Sequence, residues 1–388
     1  MTKTTNTKDD FALVFNCVLY YYSKNNEYKI SWLRRVCKHF DRFVLDIIAK
    51  TFYVSFGPID DIIAIANSFG RMLNLISITL IDFHIKPSDI TLLGEKISSL
   101  PMLTSLDLSS NSFKKIGAIA LAPSLAKMKK LKILNLSNNC FRYSGAVALA
   151  PSLKMLTDLE ILDLSSNYFK ELGTVTLAPS LARMTNLKTL DFGYNDIKQF
   201  GAVSLVPSLV SMENLKTLNL QCNHVEATGI ALLAPTLAMM TNLTSLNLGS
   251  NNIDDVVPIS LEQLRDFVDW YNYATSMSQE TELTKKDVKM VASMTAYIET
   301  IRRVITLDTR DLGLKSLAHS LAMMTNLRSL DLSNNRIYLL SVLEPIIMAI
   351  EHLEHLTFLN LRINDLGHKN EMLLEEKFKE IPNLTYNF

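Results

Sequence analysis

The side chains in this sequence that could do chemistry are sparse, and most stand without a partner at a working spacing. His352 and His355 lie three apart in EHLEH, which would put both on one helix face. With no third ligand beside them, no metal centre is expected. Cys17, Cys37, Cys140 and Cys222 are scattered without C-x-x-C spacing and read as reduced thiols of a cytosolic or nuclear protein. Gly-rich phosphate loops, G-x-S-x-G and H-E-x-x-H do not occur, so neither an enzyme nor a cofactor is expected. What recurs is a polar row: Asp107, Asn135, Asp163, Asp191, Asn219 and Asn247 follow one another every 28 residues, and Asp331 stands later in the same context. Carboxylates and amides at fixed spacing accept and donate hydrogen bonds along a surface. Their chemistry is recognition of a partner rather than bond cleavage.

The elements that must position this row are written in one repeated phrase. LTSLDLSSNSF begins at Leu103 and returns as LKILNLSNNCF, LEILDLSSNYF, LKTLDFGYNDI, LKTLNLQCNHV and LTSLNLGSNNI, without a slip. The pattern L-x-x-L-x-L-x-x-N-x-L resembles the leucine-rich repeat, one short strand plus one helix per unit. Its leucines point into a shared core, where burying each is worth about 1.5–3 kcal/mol. The Asp/Asn row alternates with them and faces outward, with neighbours about 4.8 Å apart. Ser105, Ile133, Ile161, Thr189, Thr217 and Ser245 flank it on one side. Ser109, Ser137, Ser165, Gly193, Gln221 and Gly249 flank it on the other. Asn111, Asn139, Asn167, Asn195, Asn223 and Asn251 close each strand. They are expected to turn inward and satisfy backbone groups of their own and the next repeat, a structural role.

After each strand, Gly117, Gly145, Gly173, Gly201 and Gly229 open a helical half of ALAPSLAKM-like text. Repeats of this length resemble the ribonuclease-inhibitor type. The expected fold class is therefore α/β: a horseshoe solenoid with parallel strands inside and helices outside. Pro123, Pro151, Pro179, Pro207 and Pro235 predict that each helix kinks or starts afresh there. On the loops, Lys114, Lys115, Arg142, Lys170 and Lys198 make a basic edge that Glu226, Asp254 and Asp255 turn acidic. Tyr143, Tyr168, Tyr194 and His224 are its larger contact-type residues, and Tyr194 joins the Asp/Asn row as a candidate binding residue.

The repeats span 75–252, an atypical first unit from Leu75 with Phe83 in the Asn position and a regular block from Leu103. Before them, 51–74 reads as a capping half-repeat of one strand and one helix. After them, the phrase VITLDTRDL puts Ile305 and Leu307 in core positions with a phase origin at Arg302. That origin implies about 31 inserted residues. The insertion, 253–303, reads as two amphipathic helices, one with Leu261, Leu264, Phe267, Val268 and Tyr271, the other with Val288, Val291, Met294, Ile298 and Ile301. Repeats resume over 304–388, and Glu371–Ile381 is expected to close the far end.

Residues 1–8 read as a disordered tail and 9–50 as a small helical module. Within it ISWLRRVCKHFDRFV resembles the second half of an F-box, on Leu33, Val36, Cys37, Lys38 and Phe40, and FALVFNCVLYYY resembles its first helix. Asp10-Phe11 stands where that family opens with Leu-Pro. The resemblance implies docking on a Skp-type adaptor of a cullin-RING ubiquitin ligase through Leu33, Val36, Cys37 and Phe40, with the repeats holding a substrate protein. The other reading of 9–50 is a plain cap over the first hydrophobic layer of a solenoid scaffold or inhibitor. Lys plus Arg and Asp plus Glu are 39 each, which argues for neither nucleic acid nor membrane as partner. The polar first ten residues imply no secretion, so a cytoplasmic or nuclear place and a protein partner on the concave face or rim are expected.

Overall fold

The computed structural model describes residues 51–55, 62–69, 73–83, 85–253, 312–337 and 340–388. The tail, the 9–50 module with Leu33, Val36, Cys37 and Phe40, the stretches read as two insertion helices and the VITLDTRDL phrase up to Asp311 lie outside the described residues.

Eleven strands form one parallel sheet in strict chain order. They are β1 Thr51–Ser55, β2 Ser77–Ile81, β3 Ser105–Asp107, β4 Ile133–Asn135, β5 Ile161–Asp163, β6 Thr189–Asp191, β7 Thr217–Asn219, β8 Ser245–Asn247, β9 Ser329–Asp331, β10 Phe358–Asn360 and β11 Thr385–Asn387. Between them run α1 Ile62–Phe69, α2 Pro87–Ser98, α3 Lys114–Leu125, α4 Arg142–Leu153, α5 Lys170–Leu181, α6 Lys198–Ser204, α7 Val206–Ser211, α8 Glu226–Met239, α9 Leu312–Met323, α10 Leu340–Glu351 and α11 Gly367–Phe378. Each strand pairs with the next at equivalent positions, so Leu106, Leu134, Leu162, Leu190, Leu218 and Leu246 make one buried file. Strands pack about 4.8 Å apart and helices about 10 Å apart. A stack with helices on one side must therefore bend with its sheet on the inside.

The helical halves are tied down at both ends. Gly145 is required where α4 starts, because a Cβ there would lie 2.5 Å from the Cβ of Phe141. Phe113, Phe141 and Phe169 fill that position in successive repeats, with ring centroids 6.4 Å apart at each step. Further along, Pro123, Pro151, Pro179 and Pro235 sit inside continuous helices, and a fresh helix begins only at Pro207. The fresh start coincides with Val206 in place of the alanine that precedes the other four prolines. A β-branched residue before proline tolerates helical geometry less well. The helix layer is also stitched sideways: the hydroxyls of Ser152, Ser180 and Ser208 donate at 2.7 Å to the carbonyls of Ala122, Ala150 and Ala178 in the preceding repeat.

Two differences from expectation concern register. β8 pairs directly with β9, Ser245 against Ser329, so no strand stands between them. The step is 84 residues where a single repeat takes 28, which leaves 56 extra rather than about 31. Past α11, which covers the 371–381 stretch in part, β11 adds one more strand on β10. Phe378, Tyr386 and Phe388 stack beside it with centroids 5.1–6.2 Å apart.

Candidate functional site

The inner face of the sheet is built on a buried asparagine column. Asn111, Asn139, Asn167, Asn195, Asn223 and Asn251 are all but fully buried. The Asn139 amide donates to the carbonyls of Leu136 in its own repeat and Leu108 in the one before. Its Oδ1 accepts from the backbone N–H of Asn111 at 3.0 Å. The neighbour so served is the preceding repeat, not the following one, because the strand end of each unit lies over the loop of the unit before it. These loops also hold non-glycine residues in the left-handed region, for example Asn138, Cys140 and Arg142 at φ of 54–56°. Each such residue costs about 1–2 kcal/mol. Bonds to the next repeat hold them there: Asn138 N–H donates to the Ser165 carbonyl and Arg142 N–H to that of Asn167. The loops that border the face are thereby fixed in place.

On this frame Asp107, Asn135, Asp163, Asp191, Asn219, Asn247, Asp331 and Asn360 stand side by side in register, half-buried. One oxygen of each serves the fold by accepting from the backbone N–H two residues on, as Asp163 does from Ser165 at 2.9 Å. The second oxygens differ. Asp107, Asp191 and Asp331 receive the amides of Asn135, Asn219 and Asn360, whereas Asp163 has Asp191 rather than an asparagine at the next position. Burial, and then the charges of Asp191 and Asp107, hold the Asp163 carboxyl above the usual carboxylate range. Ile133 and Ile161 pair beside it, each 37% exposed.

At one border Lys132, Lys188, Lys216 and Arg328 form an exposed basic row. Glu160 sits among them at 2.9 Å from Lys132 and 2.7 Å from Lys188. This row was legible in the residue that follows the first leucine of each phrase. At the other border Tyr168 and Tyr194 are about half exposed. A hydrogen bond with the Cys222 thiol leads the causes that raise the Tyr194 hydroxyl above its ordinary value. His224 meets Asp196 at 3.1 Å. His352 and His355 lie in the turn after α10 rather than on a helix, and the Nδ1 of His352 meets the Met348 carbonyl. Among the described residues no cluster of three metal-ligating side chains occurs, and no helix is long and apolar enough to cross a membrane.

Family models described as leucine-rich repeat match residues 99–122, 127–150, 183–206, 211–234 and 240–256, and again 326–353. The fold is a leucine-rich-repeat solenoid. Among solved structures, this solenoid is similar to the leucine-rich-repeat-containing protein LegL7 of Legionella pneumophila, at 18% identity over 87% of this chain and 88% of that one, with a TM-score of 0.42. A chain of the yeast Rad7 and Elc1 complex aligns at 16% identity over 98% and 92%, with a TM-score of 0.43. A leucine-rich-repeat protein of Leptospira interrogans aligns at 16% over 92% and 98%, with a TM-score of 0.29. No curated protein matches the sequence.

Proposed function

We propose that this solenoid is a recognition protein whose inner face takes a protein partner, and that Leu33, Val36, Cys37 and Phe40 dock it on a Skp-type adaptor of a cullin-RING ubiquitin ligase. The observation that carries the first half is the carboxyl of Asp163, which has Asp191 rather than an asparagine at the next position, beside the exposed pair Ile133 and Ile161 on a face that no described helix covers. A basic side chain of the partner would meet the carboxylate while its apolar neighbour covers the isoleucines. Asp163→Lys combined with Asp191→Lys is expected to abolish partner capture while leaving the circular dichroism spectrum unchanged.

The adaptor half rests on the residue pattern alone. Recovery of a purified Skp adaptor by the wild-type chain, lost on Val36→Asp, supports it. Equal recovery by both, or recovery by neither, leaves the scaffold reading, in which 9–50 is a cap.

A further inference from the structure

The even charge count of the whole chain conceals one lopsided stretch. The 50 residues from Leu108 to Thr157 contain no Asp or Glu, but seven Lys and one Arg. That is a formal charge of +8 within two repeats of a chain whose total is +0. The fold gathers most of it around the outer faces of α3 and α4. Lys114, Lys115 and Arg142 stand in the first turns of these helices, and Lys127, Lys129 and Lys130 follow the end of α3, all six exposed. Among the described residues none of the six forms an ion pair. A helix dipole disfavours cations in the first turn, so helix stability does not account for three of them.

Between these two sets of cations the outward stripe is apolar. Ile116, Ile119 and Pro123 follow one another along α3, Val147 and Pro151 along α4, and Met155 lies just past its end. Ile116, Ile119, Val147 and Met155 are 42–63% exposed. Because α3 and α4 pack side by side, the two stripes make one patch, and a contiguous exposed apolar patch marks an interaction surface.

We infer that the outer face of α3 and α4 docks this solenoid on an anionic lipid surface. Three features favour a bilayer over a protein or a nucleic acid. The face is the outside of a bent stack, so it bulges and offers no groove to a partner helix. Its charge is of one sign throughout, which suits the unpatterned negative field of anionic headgroups. Its cations are mostly lysines and its apolar residues mostly aliphatic, whereas arginines and aromatic rings anchor protein interfaces and stack on bases. The isoleucines would enter the headgroup boundary while the lysines meet the phosphates. The sheet's inner face lies on the other side of the stack and stays open, so this inference stands apart from the reading of that face.

The test is co-sedimentation of the full chain with phosphatidylcholine vesicles, with and without phosphatidylserine. Binding is expected to require phosphatidylserine and to fall as salt is added. One lysine near such a surface is worth about fivefold in partition, so Lys127→Glu with Lys130→Glu should lower it about 25-fold or more. Ile116→Ser with Ile119→Ser should lower it about tenfold. Lys369→Glu with Lys379→Glu makes the same change in net charge at the far end of the stack and should stay within about twofold of wild type. Absence of phosphatidylserine-dependent sedimentation overturns the proposal, as does an equal loss in the far-end variant. So does unaltered binding on replacement of the two isoleucines, which would leave charge alone at work. Capture of poly-glutamate without capture of vesicles would assign the face to an acidic protein and overturn the proposal equally.

Discussion

The side-chain oxygen of Asn139 accepts the backbone N–H of Asn111, 28 residues earlier, at 3.0 Å. The same side chain's amide reaches the Leu108 carbonyl of that earlier repeat. One residue thus closes donors and acceptors in two repeats at a fully buried place. Asn139→Ala is expected to leave several buried backbone groups unpaired and to cost about 2–4 kcal/mol. Urea denaturation followed by circular dichroism measures it. A cost no larger than that of the exposed neighbour Asn138→Ala would show that the column does not hold the stack.

Gly145 makes a steric claim. Its position is helical, so the glycine is needed for space rather than for φ. Gly145→Ala places a Cβ 2.5 Å from that of Phe141 and should cost about 1–3 kcal/mol through displacement of the phenylalanine. Ser144→Ala, one residue earlier on the same helix, should stay within about 0.5 kcal/mol. If both variants melt alike, the close approach is relieved by some other movement.

The 28-residue period was readable because every leucine layer must be buried against the next, so no unit can slip without exposing its core. The same logic failed at VITLDTRDL. Its Ile305 and Leu307 satisfy the apolar pattern, but the register across the gap is set by the backbone bond from Asn251 to the Asn335 side chain, 84 residues on. Hydrophobic periodicity does not encode that bond. The left-handed loop residues left no trace either, because serine, cysteine, tyrosine and lysine occupy them instead of glycine. Within the site, the alternation of Asp163 with Leu162 and Leu164 marked it as outward-facing. Which carboxylates had an amide neighbour to accept from depended on whether Asp or Asn stood at the equivalent position one repeat on, a comparison between repeats rather than within one.

Asp163 separates binding from stability. Asn135 fills the same position one repeat earlier and accepts from Ser137 N–H and Oγ at 2.9 and 2.7 Å, as Asp163 does from Ser165. Asp163→Asn can therefore keep both bonds while removing a charge that the fold disfavours. Because the folded carboxyl titrates above its unfolded value, the penalty is full at neutral pH and fades as pH falls through the folded pKa. The variant is expected to match or exceed wild-type stability at pH 7, by up to about 1 kcal/mol, and to lose the advantage in acid. The same variant should weaken capture of a partner that offers a cation. Thermal melts at two pH values and a binding isotherm check the two halves separately.

Glu160 titrates the opposite way. Hydrogen bonds from Lys188 first and Lys132 second hold its carboxyl down to about 2, and the same contact raises Lys132. A depressed carboxylate contributes stability that is complete above its unfolded pKa and vanishes as pH falls through the folded one. Wild type should therefore exceed Glu160→Gln in melting temperature at neutral pH, and the gap should close between about pH 4.5 and 2. Because the three side chains are solvent-accessible, added salt should narrow the gap as well. A carboxyl carbon titration by NMR reads the site directly. A Glu160 midpoint in the ordinary range near 4 would mean that the two lysines do not hold it in solution. The basic border of the inner face would then be free to take an acidic partner in its place.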